Sequence, residues 1–318
     1  MLTNQYSDHS LFTLRVLDNR CLHYVNGGSQ QYLNNMIHNR EWHPDTVSKA
    51  ILHNKFIVII PCFNAETTIK DSILSVLEQD FNDLGIIIRN DGSSDLTDQI
   101  IKDIFGIDVN GFEFYIKYKT RDVIYIKNTK KLYAGGNTYD SVIQFVNNPY
   151  SIIGIVDGDD YLLTVDAVST VYHAYMNNPG KWLIWSQHAS RERDKWNMVG
   201  YSKPVPPDEV IYSSRKYWAI SHFRTCLAGL FNLIDPNDLA DPLNLSHYAK
   251  VCGDASFLYP IMELCGNKRS LFLNLMLYYY NDGIPSNDYQ VYRSEIEFYR
   301  SYFENKKQYK QLESDFKF

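Results

Sequence analysis

The chain of 318 residues is short of several things that would classify it at once. Cysteine is scarce: Cys21, Cys62, Cys226, Cys252 and Cys265 are scattered, odd in number and form no CxxC pair. That argues against a disulfide framework or a thiolate zinc site and for a reducing compartment, the cytoplasm. No run approaches the roughly 20 apolar residues that a transmembrane helix needs. The opening MLTNQYSDHS is polar and lacks the apolar core of a signal peptide. Positive charge is not in excess, with 31 Lys and Arg against 37 Asp and Glu and a net charge of −6. A nucleic acid partner needs a strongly basic face, so that class is set aside. Low-complexity tracts and solenoid repeats are missing as well. What is abundant is aromatic: Tyr 25, Phe 16 and Trp 5, or 14% of the chain, more than a core alone requires.

Residues 1–54 are polar and mixed, broken at Gly27–Gly28, with weakly helical pieces between Gln30 and Leu52. The pattern sharpens at FIVII (Phe56–Ile60), an apolar β-branched run closed by Pro61, which reads as a buried strand. Ile69, Ile73, Leu74 and Leu77 then fall at helical spacing. GIIIR (Gly85–Arg89) is a second strand ending in NDGSSD, and Leu96–Phe105 a second helix with Asp95 as N-cap. Val123–Asn128 is a third strand, a helix follows near Thr138–Asn147, and Ser151–Val156 is a fourth strand stopping at Asp157–Asp160. This alternation predicts an α/β fold with a mostly parallel sheet and right-handed crossovers. Ligands bind such sheets outside the carboxyl ends of the strands. Pro61–Asn64, Asn90–Gly92 and Asp157–Asp160 are therefore expected at one edge.

Beyond residue 180 the alternation weakens. Lys181–Gln187 reads as a strand, Arg191–Val210 as a long loop, and Tyr217–Ile234 mixes both signals. Cys252–Gly266 reads as a helix with Asp254 near its start, and Ser270–Asn281 as a strand. Glu295–Phe316 is an amphipathic helix carrying Tyr299, Tyr302, Phe303 and Tyr309.

Asp157, Asp159 and Asp160 crowd three carboxylates at a strand end, where they repel unless a cation sits among them. Mg²⁺ or Mn²⁺, with oxygen ligands and a bridging phosphate, suits that position; a solvated acidic turn is the plainer alternative. Asp91 sits likewise after a strand. It can accept the imide N–H of uracil or a ribose hydroxyl, or simply belong to an Asp-Gly turn. No Walker A lysine occurs, and AGGN is not a GxGxxG fingerprint.

Taken together, Val58–Glu66, Ile87–Thr97, Asn128–Tyr139 and Ile155–Leu162 give the chain a segment that resembles the family 2 glycosyltransferases of GT-A fold. The resemblance is strong over residues 55–165 and fainter through Cys252–Gly266 and Tyr278–Asp288. It implies a nucleotide-sugar donor, most simply a UDP-sugar, with Pro61, Phe63, Asn64 and Glu66 beside the nucleotide and Asp91 reading the uracil. Asp157 and Asp159 match the family's DxD, the first facing the ribose or donor sugar and the second binding Mn²⁺ or Mg²⁺, with Asp160 close enough to share either task. Asp254 matches the acceptor-side general base of an inverting single displacement; Gly253 stands where relatives often carry Glu, and Asn90 where they often carry Asp. Asp238, Asp241 and Asp282 are rival bases.

Other residues are candidates on type and place. His222 and Arg224 fall near the acceptor face, where Arg224 can pair with a diphosphate or take part in a structural ion pair. Trp182 and Trp185 offer a sugar-stacking platform or a core role. Lys130 and Lys131 can approach the diphosphate, and Asn281, Asp282 and Ser286 can belong to a loop over the donor. The expected division is 1–54 an N-terminal extension, 55–175 the nucleotide-sugar half, 176–290 the acceptor and base half, and 291–318 a C-terminal amphipathic helix, available for pairing two copies. The resemblance implies an acceptor hydroxyl, whether of a glycan, a glycolipid or a protein. A sugar-nucleotide nucleotidyltransferase would need a basic glycine-rich loop after the first strand, and CFNAETT is not one. A non-catalytic carbohydrate-binding relative would be expected to have lost Asp157, Asp159 or Asp254.

Overall fold

The computed structural model describes residues 40–43, 47, 50–107, 111–192, 195–197, 202–283, 291–313 and 316–318. After a short strand β1 (Arg40–His43) comes β2 (Phe56–Cys62), then α1 (Ile69–Leu77), β3 (Leu84–Asn90) and α2 (Thr97–Phe105). Both β2 and β3 are buried at every residue, as interior parallel strands covered on two faces must be. The chain continues through β4 (Glu113–Tyr118), β5 (Arg121–Lys127), α3 (Tyr133–Phe145), β6 (Ile152–Ile155), β7 (Tyr161–Leu162) and α4 (Ala167–Asn177). The second half holds β8 (Leu183–Glu192), β9 (Lys195–Asn197), α5 (Asp208–Ser213), β10 (Arg224–Leu227), β11 (Ala240–Asp241), β12 (Asn244–Tyr248), α6 (Gly253–Cys265), β13 (Ser270–Tyr280) and α7 (Arg293–Glu304).

One sheet runs β1-β4-β5-β3-β2-β6-β10-β8-β13-β7, with β9 on β8, and β11 and β12 pair separately. Strands β5, β3, β2 and β6 are parallel. Into this series β10 is set antiparallel, between β6 and β8, so its first residue, Arg224, lies beside Ile155 at the end of β6. An antiparallel strand delivers its beginning to the edge where its neighbours deliver their ends. Residues from both halves of the chain meet there for that reason.

Four readings change. Arg40–His43 is a strand on β4, not a helical piece; the rest of Gln30–His43, like all of residues 1–39, lies outside the described residues. Strand β4, passed over in the sequence, alternates buried and outward positions with Glu113 and Lys117 outward. The stretch Arg191–Val210 is not all loop: β8 runs to Glu192 and turns back through β9 with Glu192 opposite Lys195, and Asp208–Ser213 is helical. The last helix ends at Glu304, not Phe316. Its continuation is prevented because Arg215 donates to the carbonyls of Phe303 (3.1 Å) and Lys307 (3.2 Å), and the Tyr309 N–H donates to Glu263 (2.9 Å). These bonds draw residues 305–313 out as a strap over α6. Ile296, Tyr299 and Phe303 of α7 are buried against the chain's own core. Among the described residues no helix is long and apolar enough to cross a membrane, and Cys62, Cys226 and Cys265 are free thiols.

Candidate active site

The loop after β2 and the loop after β3 are laced together. Asn64, at a positive φ of 47°, donates its N–H to Ser93 Oγ (2.9 Å) and accepts the Ser94 N–H (2.9 Å). Glu66 accepts the Leu96 N–H (3.0 Å) while its own N–H donates to Asp95 (3.1 Å). Asp95 also accepts the Thr97 N–H at the start of α2 (3.0 Å). Asp91 is buried and holds the next element: its carboxylate accepts from Asn128 Nδ2 (2.8 Å), the Leu132 N–H (2.8 Å) and the Tyr133 N–H (2.9 Å). Asp91 thereby caps the first turn of α3, which is why that helix begins at Tyr133 rather than near Thr138. Phe63 is 44% exposed, and the Lys131 ammonium lies 2.8 Å from its ring centre, a cation–π contact.

Across the sheet edge stands a node centred on Arg224, which is only 5% exposed. Its guanidinium donates to Asp157 Oδ2 (2.9 Å), to Asp254 Oδ2 (2.8 Å) and to His222 Nε2 (2.8 Å). Nε2 of His222 also lies 3.3 Å from Asp157 Oδ2. Its Nδ1 faces Ser221 Oγ (3.2 Å), whose hydroxyl in turn faces Nδ1 of buried His188 (3.2 Å). The His222 ring is stacked between Tyr278 (centroids 4.6 Å apart) and Tyr280 (5.1 Å).

The charges follow from this packing. Burial raises the pKa of Asp157, but Arg224 and His222 more than offset it and hold the carboxyl at about 2. Burial lowers the pKa of Arg224, yet Asp157 and Asp254 outweigh it, and the net shift is upward. His222 is pushed down by burial and by Arg224, against the pull of Asp157. His188 falls to about 3, through burial first and then His222 and Arg224.

A cavity of about 480 Å³ gathers Pro61, Phe63, Asn64, Asp91, Asp157, Asp159, His222, Arg224 and Asp254 along its wall. Other candidates lie elsewhere. Glu66 faces the neighbouring loop, where it binds the Leu96 N–H. Asp160 is 1% exposed and accepts from the Tyr278 hydroxyl (2.8 Å) and the Asn281 N–H (2.8 Å), so it fastens β13 to the acidic turn; burial and its two neighbouring aspartates raise its pKa. Trp185 is fully buried, its indole N–H donating to the Lys203 carbonyl (3.0 Å), so no sugar ring reaches it. Trp182 packs under Arg269 (4.0 Å) and Phe318 (5.0 Å). Of the rival carboxylates, Asp238 binds Lys306 and Tyr309, and Asp241 binds Tyr299 and the Leu243 and Lys250 N–H groups. Ser286 lies outside the described residues.

Sequence reasoning missed the far wall. Lys250, Tyr292, Ile296 and Arg300 also line the cavity, placed there by the hairpin of β11 and β12 and by α7. No motif marks them. The amphipathic pattern of α7 was visible, but its direction was not.

Asp157, Asp160 and His222 present ligand atoms within 4.8 Å of one another. With Asp160 already taken by Tyr278 and Asn281, the carboxylates of the acidic turn that face the cavity are Asp157 and Asp159. An oxygen-rich set of this kind fits a hard divalent cation.

The parallel sheet with its antiparallel insertion, and an acidic turn facing a cavity at the strand ends, are the architecture of a GT-A fold. The family model described as Glycosyl transferase family 2 matches residues 57–229, more than half of the chain, and the chain belongs to that family. A GalNAc(5)-diNAcBac-PP-undecaprenol beta-1,3-glucosyltransferase of Campylobacter jejuni is 31% identical over 117 residues, 37% of this chain and 33% of that protein. The uncharacterized glycosyltransferase EpsJ of Bacillus subtilis is 32% identical over 105 residues, 33% of this chain and 26% of that one. The matches thus span a third or less of these curated relatives. Among solved structures, the mannosyltransferase PcManGT of Pyrobaculum calidifontis, in complex with GDP-Man and Mn²⁺, aligns with a TM-score of 0.51 at 10% identity, over 94% of this chain and 76% of that one. S. aureus TarS 1–349 in complex with UDP-GlcNAc gives 0.50 at 16% identity, over 72% and 59%. These last two are likenesses of fold.

Proposed function

We propose that this transferase moves a sugar from a UDP-sugar to an acceptor hydroxyl by a cation-assisted single displacement that inverts the anomeric carbon. The observation that carries the reading is the meeting of Asp91, Asp157, Asp159 and Asp254 around one cavity. The UDP-GlcNAc bound by TarS and the GDP-Man and Mn²⁺ bound by PcManGT support a nucleotide sugar and a divalent metal. Residues 55–175 then serve the donor and 176–290 the acceptor, and the free thiols suit a cytoplasmic setting.

On this reading the nucleotide lies along Pro61–Asn64 with its base beside Phe63. Among the described residues Asp91 Oδ2 has one donor, the Tyr133 N–H, so a lone pair remains for an N–H of the base. Asp157 and Asp159 would hold a divalent cation, which would supply positive charge where the leaving diphosphate develops negative charge. Arg224, whose Nε is buried without a partner among the described residues, adds a fixed cation on the same side. Asp254 is 40% exposed at its side chain. Its Oδ2 accepts from Arg224 and its Oδ1 from the Ala255 N–H, which fix the carboxylate plane while each oxygen keeps a lone pair. Asp254 takes the proton of the acceptor hydroxyl as its oxygen attacks the sugar. Attack from the side opposite the diphosphate gives inversion.

The test is UDP release from a panel of UDP-sugars with Mn²⁺, with and without acceptor mixtures. Asp254→Asn is expected to lower turnover by about 100-fold or more, the usual range for losing a general base, and Asp159→Asn to lower turnover and weaken its dependence on Mn²⁺. Failure to bind UDP or any UDP-sugar in any divalent metal would sink the reading, and full transfer by Asp254→Asn would move the base elsewhere.

A further inference from the structure

We propose that Gly135 and Gly253 are positioning residues that lock the helix carrying the base to the helix hung on the nucleotide-side carboxylate; this rests on the roles of Asp91 and Asp254 given above. A Cβ built on Gly135 would lie 2.5 Å from the Gly253 carbonyl oxygen and 2.9 Å from its Cα. One built on Gly253 would lie 2.8 Å from the Gly135 nitrogen and 3.1 Å from its Cα. Every one of these neighbours is backbone, so no side-chain rotation relieves the clash. The first turns of α3 and α6 therefore touch main chain to main chain. Cys252, in the left-handed region at φ 54° and ψ 32°, makes the turn that brings Gly253 into this seam.

Each end of the seam leads to a carboxylate of the cavity. The first turn of α3 hangs on Asp91 through the Leu132 and Tyr133 N–H groups. Asp254 follows Gly253 directly and accepts the N–H of Ala255 in the same turn. Asp91 and Asp254 thus stand on one rigid path across the cavity. The seam also accounts for glycine at position 253: a glutamate there has no room for its Cβ. A ligand that fixes Asp91 fixes, through the seam, the height of the base above the sugar.

Gly253→Ala, Gly135→Ala and the double variant test this. The readouts are thermal melts, UDP calorimetry in Mn²⁺, kcat and KM for UDP release, and amide exchange of residues 253–257 with and without UDP. In the wild type, UDP is expected to slow exchange across residues 253–257. The single variants are expected to bind UDP within about threefold of the wild type and to lose that protection, with KM little changed. Their kcat should fall about 10- to 100-fold, the scale of a displacement near 1 Å. The double variant should be no slower than the slower single one, because both methyls open the same seam. Unchanged protection and kcat in a folded Gly253→Ala overturn the proposal. So does joint collapse of melting temperature and UDP affinity in both single variants, which assigns the glycines to fold stability. A wild type that binds UDP with protection but turns over no UDP-sugar refutes the catalytic reading of Asp254 while the seam stands; a wild type that binds no UDP refutes both.

Discussion

Asp91 and His188 show what a single residue does once its surroundings are known. Asp91 is legible as a carboxylate at a strand end, yet nothing in the sequence announces that it also starts α3, because its partners are backbone N–H groups about forty residues later. His188 gave no sequence signal at all. It is 1% exposed and its pKa is lowered from 6.5 to about 3, by burial and then by His222 and Arg224. The unfolded chain therefore takes up a proton near pH 6.5 that the native chain refuses until about pH 3. The stability that His188 contributes is complete above pH 6.5 and drains away as the pH falls through that window, at up to about 1.4 kcal/mol per pH unit. Urea melts between pH 7 and pH 4.5 should show a shallower acid loss for His188→Asn than for the wild type. Parallel curves would show that His188 does not carry the slope.

Among the elements, the strap after α7 and the helix α6 form a pair. Arg215 and Glu263 are bound at 2.7 Å through both carboxylate oxygens, with side chains 2% and 1% exposed. Arg215 also holds the carbonyls of Phe303 and Lys307, and Arg269 holds that of Leu312 (2.6 Å). Breaking a buried pair leaves a charge without its partner, at a cost of about 3–5 kcal/mol. Glu263→Gln keeps two polar contacts and should fall near the lower end, with faster tryptic cleavage at Lys306, Lys307 and Lys310. A urea midpoint equal to the wild type's would show that the strap is held by other means. The strap was not legible because helical spacing in Glu295–Phe316 is indifferent to where the backbone finds other partners. By contrast, FIVII and SIIGIV were legible since a wholly apolar run has no other place than the sheet interior. The stretch before β10 was the hardest to read, its strand being four residues long and defined by pairing with β6 and β8 rather than by its own pattern.

For the whole molecule, the net charge of −6 says little about the cavity, whose acids are matched by Arg224, Lys131, Lys250 and Arg300. Ligand linkage is the property that integrates these groups. Binding that favours the native state adds RT ln(1 + [L]/Kd), about 2.7 kcal/mol at a hundredfold excess over Kd. UDP with Mn²⁺ should raise the melting temperature more than the sum of UDP and Mn²⁺ given separately, since both meet at Asp157 on the reading above. Additive shifts in a thermal scan would place the metal away from the nucleotide. The aromatic excess has likewise acquired locations: the Tyr278–His222–Tyr280 column behind the acidic turn, the Trp182–Phe318 contact beneath the strap, and Phe63 in the open cavity.

The antiparallel insertion of β10 bears on how the chain is made. During synthesis the four parallel strands are complete once Ile155 has emerged, but the outer edge of β6 stays open until Arg224–Leu227 follows. Through that interval the nascent chain presents an unpaired, apolar edge, the kind of template on which chains aggregate. The strand that closes this edge is the one that brings Arg224 to Asp157 and Asp254. Sealing the sheet and assembling the site are therefore a single late event, and a chain stalled before it is both inactive and adhesive.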